Sequence, residues 1–339
     1  MWRKIAGMMP GESFTLSPAF FGVKIRNTTR NPSFHARPND HRGFCIEVHA
    51  MAVSLIRKVG RKVKSVLAPL KLRRQMMPLV QATRSLEGKT GLEIGGPTRF
   101  FKKDGILPIY PIATRVDNAN FAHATEWEGA IAEGMTFQFD EGRPPGRQYV
   151  CEAADLAPIP SASYDFLLSS HTIEHLANPL RGLEEWKRVL KDDGLLILVA
   201  PHPEGTFDHK RQPTPLAHLI EDYNNGTGED DLTHLEEILA QHDLSRDPGA
   251  GDAEKFRLRS LENFRNRCLH QHVFNSPAIV ALVDHAGFQI LDVCASRPFN
   301  IFVIARKLAA GKRPDNRAIL APDAPYRKKS DFASDRMSR

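Results

Sequence analysis

The sequence is short of cysteine and has no long apolar run. Its 339 residues include four cysteines, none of them paired in a CxxC motif. So few, widely spaced cysteines exclude a disulfide scaffold and are typical of a protein kept in a reducing compartment. The longest apolar runs, such as 195–201, are far shorter than the ~18 residues that a membrane-spanning helix requires. We therefore predict a cytoplasmic protein that does not cross a membrane.

Acidic residues are scarce at both ends of the chain and abundant between them. Residues 1–84 carry 16 Lys and Arg against 3 Asp and Glu, and residues 306–339 carry 10 against 4. Residues 85–305 carry 20 against 33, although the whole chain has a formal charge of +6. The acidic body would repel a nucleic-acid backbone, whereas the basic flanks would attract anionic surfaces in a salt-dependent manner. The charge distribution therefore argues against nucleic acid as a partner.

The flanking segments lack the pattern of a folded domain. Residues 1–50 show neither helical nor strand periodicity, and we predict a disordered extension. Two alternatives are an organellar targeting segment and a non-native extension upstream of a true start at Met51. Within 51–84, residues 52–67 form a basic amphipathic helix that either lies on an anionic membrane or packs on the following domain. The basic tail, 309–339, is predicted to be disordered.

Between residues 85 and 308, short apolar runs alternate with helical or loop segments. This order predicts an α/β fold with helices on both faces of a mostly parallel sheet. A helix is expected from Pro179 to Leu190, with Gly194 just beyond its end. Residues 202–276, which hold half of the histidines, predict an insertion over the carboxyl ends of the strands. The expected strands are 90–95, 113–117, 148–154, 164–170, 194–200, 288–294 and 300–306.

Acidic residues lie in or at the ends of the first three strands. Glu93 precedes the turn Gly95-Gly96, where glycines let the backbone approach a ligand at the carboxyl edge of a sheet. The third glycine of a dinucleotide-binding G-x-G-x-x-G motif is missing, which argues against a pyrophosphate ligand. Asp117 ends the next strand, where it either binds a ribose diol or caps the strand as an Asx turn. Asp155 closes the third strand at the same edge.

The stretch from His171 to His175 reads H-x-x-E-H, the inverted motif of zinc peptidases. Zinc ligation by this motif needs both histidines on one face of a regular helix and a third ligand. Because His171 follows an apolar strand and the helix begins only at Pro179, zinc hydrolysis is not expected. An alternative is a metal site in the insertion, but the spacing of its candidate ligands defines no geometry, so no metal is predicted. Those candidates are His209, Asp231, His270 and His272.

Four motifs in this order resemble the large class I family of S-adenosylmethionine-dependent methyltransferases (methyltransferase type 11-like) that act on small molecules, ubiquinone precursors, sterols and sugars. They are Glu93-Ile94-Gly95-Gly96, Ala154-Asp155-Leu156, the run Ser170 to Leu176 and the run Arg188 to Leu195. The sequence departs from the family pattern at Pro97, at the short segment 98–112 and at Asp193. The resemblance implies a Rossmann-like, doubly wound sheet of seven strands, with S-adenosylmethionine as cofactor.

The resemblance also implies roles for individual residues. Glu93, Gly95, Gly96 and Asp117 would surround the methionine and ribose parts of the cofactor, Asp155 and Leu156 would contact the adenine, and Ser170 would lie beside the cofactor. His171, at the end of the fourth strand, would face the transferred methyl group. His202, which leaves the fifth strand, is a second candidate for the general base.

The predicted reaction is methyl transfer to a substrate oxygen, with His171 or His202 as the base. The favoured acceptor is a sugar hydroxyl on a glycan or glycolipid precursor, because a surface-binding basic helix beside an acidic body suits work at a membrane face. The insertion 202–276 would then act as a substrate lid. The alternatives are methylation of another small metabolite and a cofactor-binding module without catalysis. A cytoplasmic location agrees with either, with or without peripheral membrane attachment.

Overall fold

The computed structural model describes residues 77–337. The predictions for the extension 1–50 and for the basic helix 52–67 lie outside the described residues. No helix within 77–337 combines the length and the apolar character that crossing a bilayer requires. The helices are α1 (Met77–Thr83), α2 (Pro179–Val189), α3 (Leu216–Asn225), α4 (Leu235–Gln241), α5 (Ala253–Leu261), α6 (Asn263–Asn266), α7 (Ser276–His285), α8 (Arg317–Leu320), α9 (Pro325–Lys329) and α10 (Ala333–Arg336).

The strands alternate with these helices over most of the described chain. They are β1 (Thr90–Ile94), β2 (Arg115–Asn120), β3 (Ala124–Thr125), β4 (Gly129–Ala130), β5 (Gly134–Phe137), β6 (Gly146–Val150), β7 (Tyr164–Ser170), β8 (Leu190–Pro201), β9 (Gln289–Ser296) and β10 (Asn300–Arg306). Short 3₁₀ turns lie at Arg84–Leu86, Arg99–Phe101, Ile173–His175, Pro203–Gly205 and Leu244–Arg246.

Eight strands form one sheet in the order β5-β6-β2-β1-β7-β8-β10-β9, and β3 and β4 form a separate hairpin. Five neighbouring strands of this sheet are parallel, namely β6, β2, β1, β7 and β8. Strand β10 runs antiparallel to both β8 and β9. This arrangement confirms the predicted Rossmann-like, doubly wound α/β fold, with one correction: the sheet has eight strands rather than seven. The additional strand, β5, is a short antiparallel edge strand paired with β6, and only one of its four residues is buried, so it lacks the apolar signal of the others. From β1 the chain adds β2 and β6 on one side, and it then crosses to add β7 and β8 on the other side. Doubly wound sheets bind ligands at this switch point, between β1 and β7.

Both faces of the sheet are covered, as the apolar strands predict. Successive residues of β7 enter different cores: Leu167 packs with the cluster beneath α2 and α7, while Phe166 and Leu168 pack with the cluster on the other face. Gly91 in β1 makes room for one of these side chains, because a Cβ there would lie 2.0 Å from the Phe166 ring. Burial of each such side chain contributes roughly 1.5–3 kcal/mol. The buried cores thus hold the carboxyl edge of the sheet in place from both sides.

Helix α2 begins where the sequence predicts and ends at Val189. The Asn178 side chain caps it by accepting a hydrogen bond from the Arg181 amide at 3.1 Å, and Pro179 occupies the first turn, where its missing N–H costs nothing. Its apolar stripe is buried, and the Trp186 indole N–H donates to the Ala153 carbonyl at 2.9 Å. Helix α2 therefore supports the loop after β6 as well as packing on the sheet.

The prediction of a disordered tail is wrong for the part that the structure describes. Residues 309–337 include helices α8, α9 and α10, and the side chains of Phe332 and Asp335 are fully buried. Tyr326 is also buried, beside β9 in the main core. The buried aromatic residues Tyr326 and Phe332 are separated by five charged or polar residues, so local periodicity contains no sign of the surface that they cover.

The insertion 202–276 contains α3 to α6 and a small apolar core of its own, whose members are Leu235, Ile238, Ala250, Phe256 and Leu269. It reaches the carboxyl edge of the sheet through hydrogen bonds with the loop after β7. The His272 amide donates to the Glu174 carbonyl at 3.2 Å, and the Ala177 amide donates to the Glu229 carboxylate at 3.2 Å. The insertion therefore lies at the edge where the predicted site residues are found.

Candidate active site

The glycine turn after β1 is shaped by a buried carboxylate. Gly95 and Gly96 have φ angles of 75° and 91°, and a Cβ on Gly96 would lie 2.4 Å from the Glu93 carboxyl carbon. That carboxylate accepts hydrogen bonds from the Tyr110 hydroxyl at 2.6 Å and from the Thr98 amide at 3.1 Å. A side chain at position 96 would have to displace Glu93, so this turn requires glycine.

Burial raises the pKa of Glu93 to about 7, because the hydrogen bonds from Tyr110 and Thr98 offset only part of the lost hydration. Both carboxylate oxygens are engaged within the turn, so the observed role of Glu93 is to hold the backbone in shape. A turn without side chains at the carboxyl end of the central strand would let a ligand approach the backbone closely. The predicted contact between Glu93 and the cofactor's amino group stays a prediction.

Asn118 links the glycine turn to the neighbouring strands. Its side-chain amide donates to the Glu93 carbonyl at 3.1 Å and to the Gly95 carbonyl, and its oxygen accepts from Gln148 at 2.8 Å. Sequence reasoning missed this pair. Both strands contain several polar residues, so the sequence does not single out this pair, and only the register, which pairs Asn118 with Gln148, shows that they meet.

Asp117 does not end its strand, contrary to the prediction. It lies three residues before the end of β2, opposite Leu92 of β1, and is 1% exposed. Its carboxylate accepts hydrogen bonds from the Tyr164 hydroxyl and the Arg147 amide, both at 2.8 Å. With these partners and a position below the sheet edge, Asp117 is a structural residue, and neither the ribose nor the Asx-turn interpretation is retained.

Asp155 lies in the loop after β6, and the strand itself ends earlier than predicted, at Val150. Its carboxylate is exposed and accepts from the Ala157 amide at 3.3 Å. Leu156 is fully buried, and its amide donates to the Glu185 carboxylate of α2 at 2.9 Å. The loop is therefore held rigidly at the sheet edge. The adenine contacts of Asp155 and Leu156 stay predictions.

Glu152 was not predicted as a site residue, although it lies closer to the end of β6 than Asp155 does. Its carboxylate accepts a hydrogen bond from the Arg267 guanidinium at 2.6 Å. The same guanidinium lies 5.2 Å from the centre of the Phe121 ring, just after β2, and 3.7 Å from the Glu229 carboxylate. Arg267 thus joins the insertion to the residues that follow two adjacent strands.

His171 directly follows Ser170, the last residue of β7, and is at the predicted carboxyl end of that strand. Its Nε2 atom lies 3.0 Å from the Asn300 side-chain oxygen, and its Nδ1 atom lies 3.6 Å from a Glu174 oxygen. The ring is flanked by Phe100 and Phe299, with centroid distances of 6.2 and 5.5 Å. The side chain is 27% exposed, so a reactant could reach it. Ser170 is half-buried at the same edge, and its predicted cofactor contact stays a prediction.

Glu174 is a buried carboxylate surrounded by imidazoles. Burial would raise its pKa, but the nearby His171, His175 and His270 outweigh this effect and the pKa is lowered. Burial lowers the pKa of His175 to about 4, and its Nδ1 atom lies 2.9 Å from the Leu269 carbonyl. The pKa of His270 is raised: burial lowers it, but the Asp208 carboxylate, 2.5 Å from Nδ1, raises it by a larger amount.

The motif from His171 to His175 does not form the helical face of a zinc peptidase. Residues Ile173–His175 are a single 3₁₀ turn between β7 and α2. This placement agrees with the prediction that the motif is not a hydrolytic zinc site.

His202 is not retained as a candidate base. The side chain is 0% exposed and its ring stacks on Phe332 at a centroid distance of 3.8 Å. Its Nδ1 atom accepts from the Glu204 amide at 3.3 Å, and its Nε2 atom lies 3.2 Å from the Asp335 carboxylate. The described tail covers His202 completely, so the residue anchors the end of the chain instead of facing a substrate.

The strand order and the glycine turn define a Rossmann-like fold, and folds of this kind bind ligands at the carboxyl edge of the sheet. Residues 127–198, which include β7 and α2, match the family described as "Methyltransferase domain". The match covers 72 of the 339 residues, and S-adenosylmethionine is the cofactor that the resemblance noted in the sequence implies. No curated protein matches the sequence.

Solved structures of low identity are similar over most of the chain. A SAM-dependent methyltransferase from Aquifex aeolicus is 17% identical, with a TM-score of 0.37, over 73% of this chain and 98% of that one. One from Mesorhizobium loti is 14% identical, with a TM-score of 0.40, over 69% and 98%. The 1,6-didemethyltoxoflavin-N1-methyltransferase of Burkholderia thailandensis, solved with that compound and S-adenosylhomocysteine, is 14% identical, with a TM-score of 0.38, over 82% and 94%. Likeness at this level transfers no substrate to this chain.

Proposed function

We propose that this protein transfers a methyl group from S-adenosylmethionine to a hydroxyl of a sugar, carried on a glycan or glycolipid precursor. The observation that supports the proposal is the partly exposed His171 at the end of β7, backed by the buried Glu174. When bound, the cofactor would supply the methyl group of its sulfonium: the C–S bond would break as the new C–O bond forms, and the sulfur would keep the electron pair of the broken bond.

The residues around His171 would position the acceptor and hold its proton. The acceptor hydroxyl would replace Asn300 at Nε2 and pass its proton to the ring as the oxygen is methylated. Glu174, 3.6 Å from Nδ1, would stabilise the positive imidazolium in the way that a carboxylate supports a catalytic histidine. The side chain of Asn300, the first residue of β10, would then form a new hydrogen bond to the same hydroxyl. Alignment and exclusion of water would then provide most of the rate enhancement.

Aromatic rings near His171 favour a sugar as the acceptor. Phe100 and Phe299 flank the His171 ring, and Trp127, which is 46% exposed, lies 5.4 Å from the His175 ring. Aromatic rings pack against the C–H faces of sugars, while polar groups such as Asn300 bind their hydroxyls. A lining of apolar rings with a few placed polar groups is the usual composition of a small-molecule site.

The test combines cofactor binding with product detection. Calorimetry with S-adenosylmethionine and S-adenosylhomocysteine should show binding of both. Mass spectrometry should then detect a gain of one methyl group on free, nucleotide-linked or lipid-linked sugars, and none on matched acceptors whose hydroxyls are already methylated. Methylation of a non-sugar metabolite alone would overturn the acceptor assignment. Cofactor binding without turnover on any acceptor would indicate a binding module.

A further inference from the structure

Four side chains of the insertion converge on one point, and we name them the His3Asp cluster: His218 and Asp222 on α3, His234 before α4, and His272 before α7. One potential ligand atom from each lies within 4.8 Å of every other. The Nε2 atoms of His218 and His234 are 3.0 Å apart. The Asp222 Oδ2 atom lies 3.4 Å from His218 Nε2 and 3.7 Å from His272 Nε2. In a tetrahedral zinc site with bonds of ~2.0–2.1 Å, ligand atoms are ~3.3 Å apart.

Hydrogen bonds within the protein leave the His3Asp cluster unsatisfied. Asp222 Oδ2 is buried and has no hydrogen-bond partner, although its other oxygen accepts from the Thr227 hydroxyl at 3.2 Å. The Nδ1 atom of His272 is also buried without a partner, and its Nε2 atom lies 3.2 Å from the Ala177 carbonyl, a hydrogen bond that would be lost if Nε2 bound a metal. A buried carboxylate oxygen that faces imidazoles without a hydrogen bond is costly, and a cation between them would remove that cost.

We propose that the His3Asp cluster binds one Zn²⁺ ion as a structural site. Three imidazoles and one carboxylate supply four protein ligands, which leaves no open position for a substrate or an activated water. Nitrogen-rich tetrahedral sites of this kind suit zinc better than the oxygen-preferring Mg²⁺ or Ca²⁺. The site is separate from the methyl-transfer chemistry proposed above and does not depend on it.

The position of the His3Asp cluster suggests what the ion does. Asn178, the cap of α2, donates from its side chain to the Asp222 carbonyl at 3.1 Å, and the His272 amide donates to the Glu174 carbonyl at 3.2 Å. Two ligands of the cluster are thus bonded directly to the loop that carries His171. A metal here would join the separate segments around residues 218–222, 234 and 272 and hold the insertion against that loop.

Other histidines of the insertion do not join the cluster. Of the four candidate ligands considered from the sequence, only His272 belongs to it. His209 lies 2.8 Å from the Asp243 carboxylate, and His270 is bonded to Asp208. A second group, Glu174, His175 and His270, offers three ligands rather than four, and the Nδ1 atom of His270 lies 2.5 Å from the Asp208 carboxylate. His209 is therefore a suitable control.

The first experiment measures metal in the untagged full-length protein. Mass spectrometry of the purified protein should find about one zinc per chain. After removal by a chelator, titration with ZnCl₂ alone should restore one equivalent, and Co²⁺ should give the visible absorption of a tetrahedral complex. Wild-type protein that takes up neither Zn²⁺ nor Co²⁺, or that binds Co²⁺ with octahedral absorption, would overturn the proposal.

The second experiment assigns the ligands. The variants His234→Ala and Asp222→Asn should each lower zinc affinity by at least 100-fold, whereas His209→Ala should bind zinc as wild type does. Chelation should lower the Tm of the wild type and of His209→Ala but leave that of His234→Ala unchanged. Full zinc binding by both cluster variants would contradict the assignment. If a variant fails to fold, the stoichiometry and Co²⁺ spectrum of the wild type still decide the question.

Discussion

The backbone at His171 has a φ angle of 52°, in the left-handed region that residues other than glycine seldom adopt. Such a conformation costs about 1–3 kcal/mol and persists only where the surrounding structure imposes it. Here the chain must turn directly from β7 into the 3₁₀ turn Ile173–His175, and the turn presents the ring at the sheet edge between Phe100 and Phe299. The strain is thus located at the residue to which we assign the proton transfer.

Replacement of His171 tests that role. We expect His171→Ala to lower turnover by roughly 10²-fold or more while cofactor affinity changes little, because the ring acts on the acceptor and not on the cofactor. Turnover under saturating cofactor and calorimetric affinity are the paired measurements. His202→Ala is the control: it should lower thermal stability and leave the turnover of the folded fraction near wild type. Wild-type turnover in His171→Ala would contradict the assignment.

Glu93 predicts a specific pH dependence of stability. Its pKa is raised by burial from 4.5 to about 7, so between these values the folded state binds the proton that the unfolded state releases. The stability contributed by protonated Glu93 is therefore present below about pH 4.5 and is lost as pH rises to about 7, a change on the order of 3 kcal/mol.

The measurement compares the wild type with Glu93→Gln, which cannot titrate. The free energy of unfolding from denaturant titrations at several pH values between 4.5 and 7.5 should fall more steeply with pH for the wild type. Parallel curves for the two proteins would show that Glu93 does not titrate in this range.

At the scale of elements, the tail acts as a clamp on the end of β8. Phe332 stacks on His202, and the Asp335 carboxylate accepts hydrogen bonds from the Ser276 and Ser330 hydroxyls, both at 2.6 Å. The hydrogen bonds from Ser276 and Ser330 and the contact with His202 outweigh the effect of burial and lower the pKa of Asp335, so it is charged at neutral pH. The tail therefore connects β8 with α7 across a buried polar contact.

Truncation of Phe332 measures the strength of this clamp. We expect Phe332→Ala to reduce the free energy of unfolding by about 3–5 kcal/mol, since it removes a fully buried ring and opens a cavity beside His202. Leu320→Ala, in the same tail but at a side chain that is 38% exposed, should cost far less. Equal, small losses for the two variants in denaturant titrations would show that the tail contributes little to stability.

At the scale of the whole molecule, charge is divided between an acidic body and basic flanks. Residues 1–84 hold 16 of the 46 Lys and Arg residues and only 3 of the 40 acidic ones. The segment 52–67, for which the sequence predicts a basic amphipathic helix, would attract an anionic bilayer. We therefore propose a peripheral contact between this segment and anionic lipid.

Vesicle binding tests the contact. The full-length protein should sediment with anionic vesicles and be released as salt rises, because each basic residue near such a surface contributes about 1 kcal/mol. Replacing Arg57, Lys58, Arg61 and Lys62 with Gln should abolish binding, whereas replacing the exposed Lys102 and Lys103 of the body should not. Equal binding to neutral vesicles would count against the electrostatic mechanism.

Much of the architecture could be predicted from the sequence, because local pattern is sufficient to specify it. Strand β7 has the predicted bounds, 164–170, since its run of apolar residues is buried on both faces. Helix α2 was placed to within one residue by Pro179 and the apolar stripe that follows. The turn at Gly95 and Gly96 and the position of His171 followed from the same motifs. These features depend on neighbours within a few residues along the chain.

The tertiary structure alone decided what depends on distant contacts. Asp117 was expected at a strand end, but the register of β2 against β1 places it opposite Leu92 and in contact with Tyr164. His202 was a candidate base until Phe332 and Asp335, more than 100 residues later, were seen to enclose it. The His3Asp cluster joins residues from 218 to 272, whose spacing follows no metal-binding motif. A sequence pattern records which side chains prefer to be buried or charged, but the partners they meet are set by how separate segments pack together.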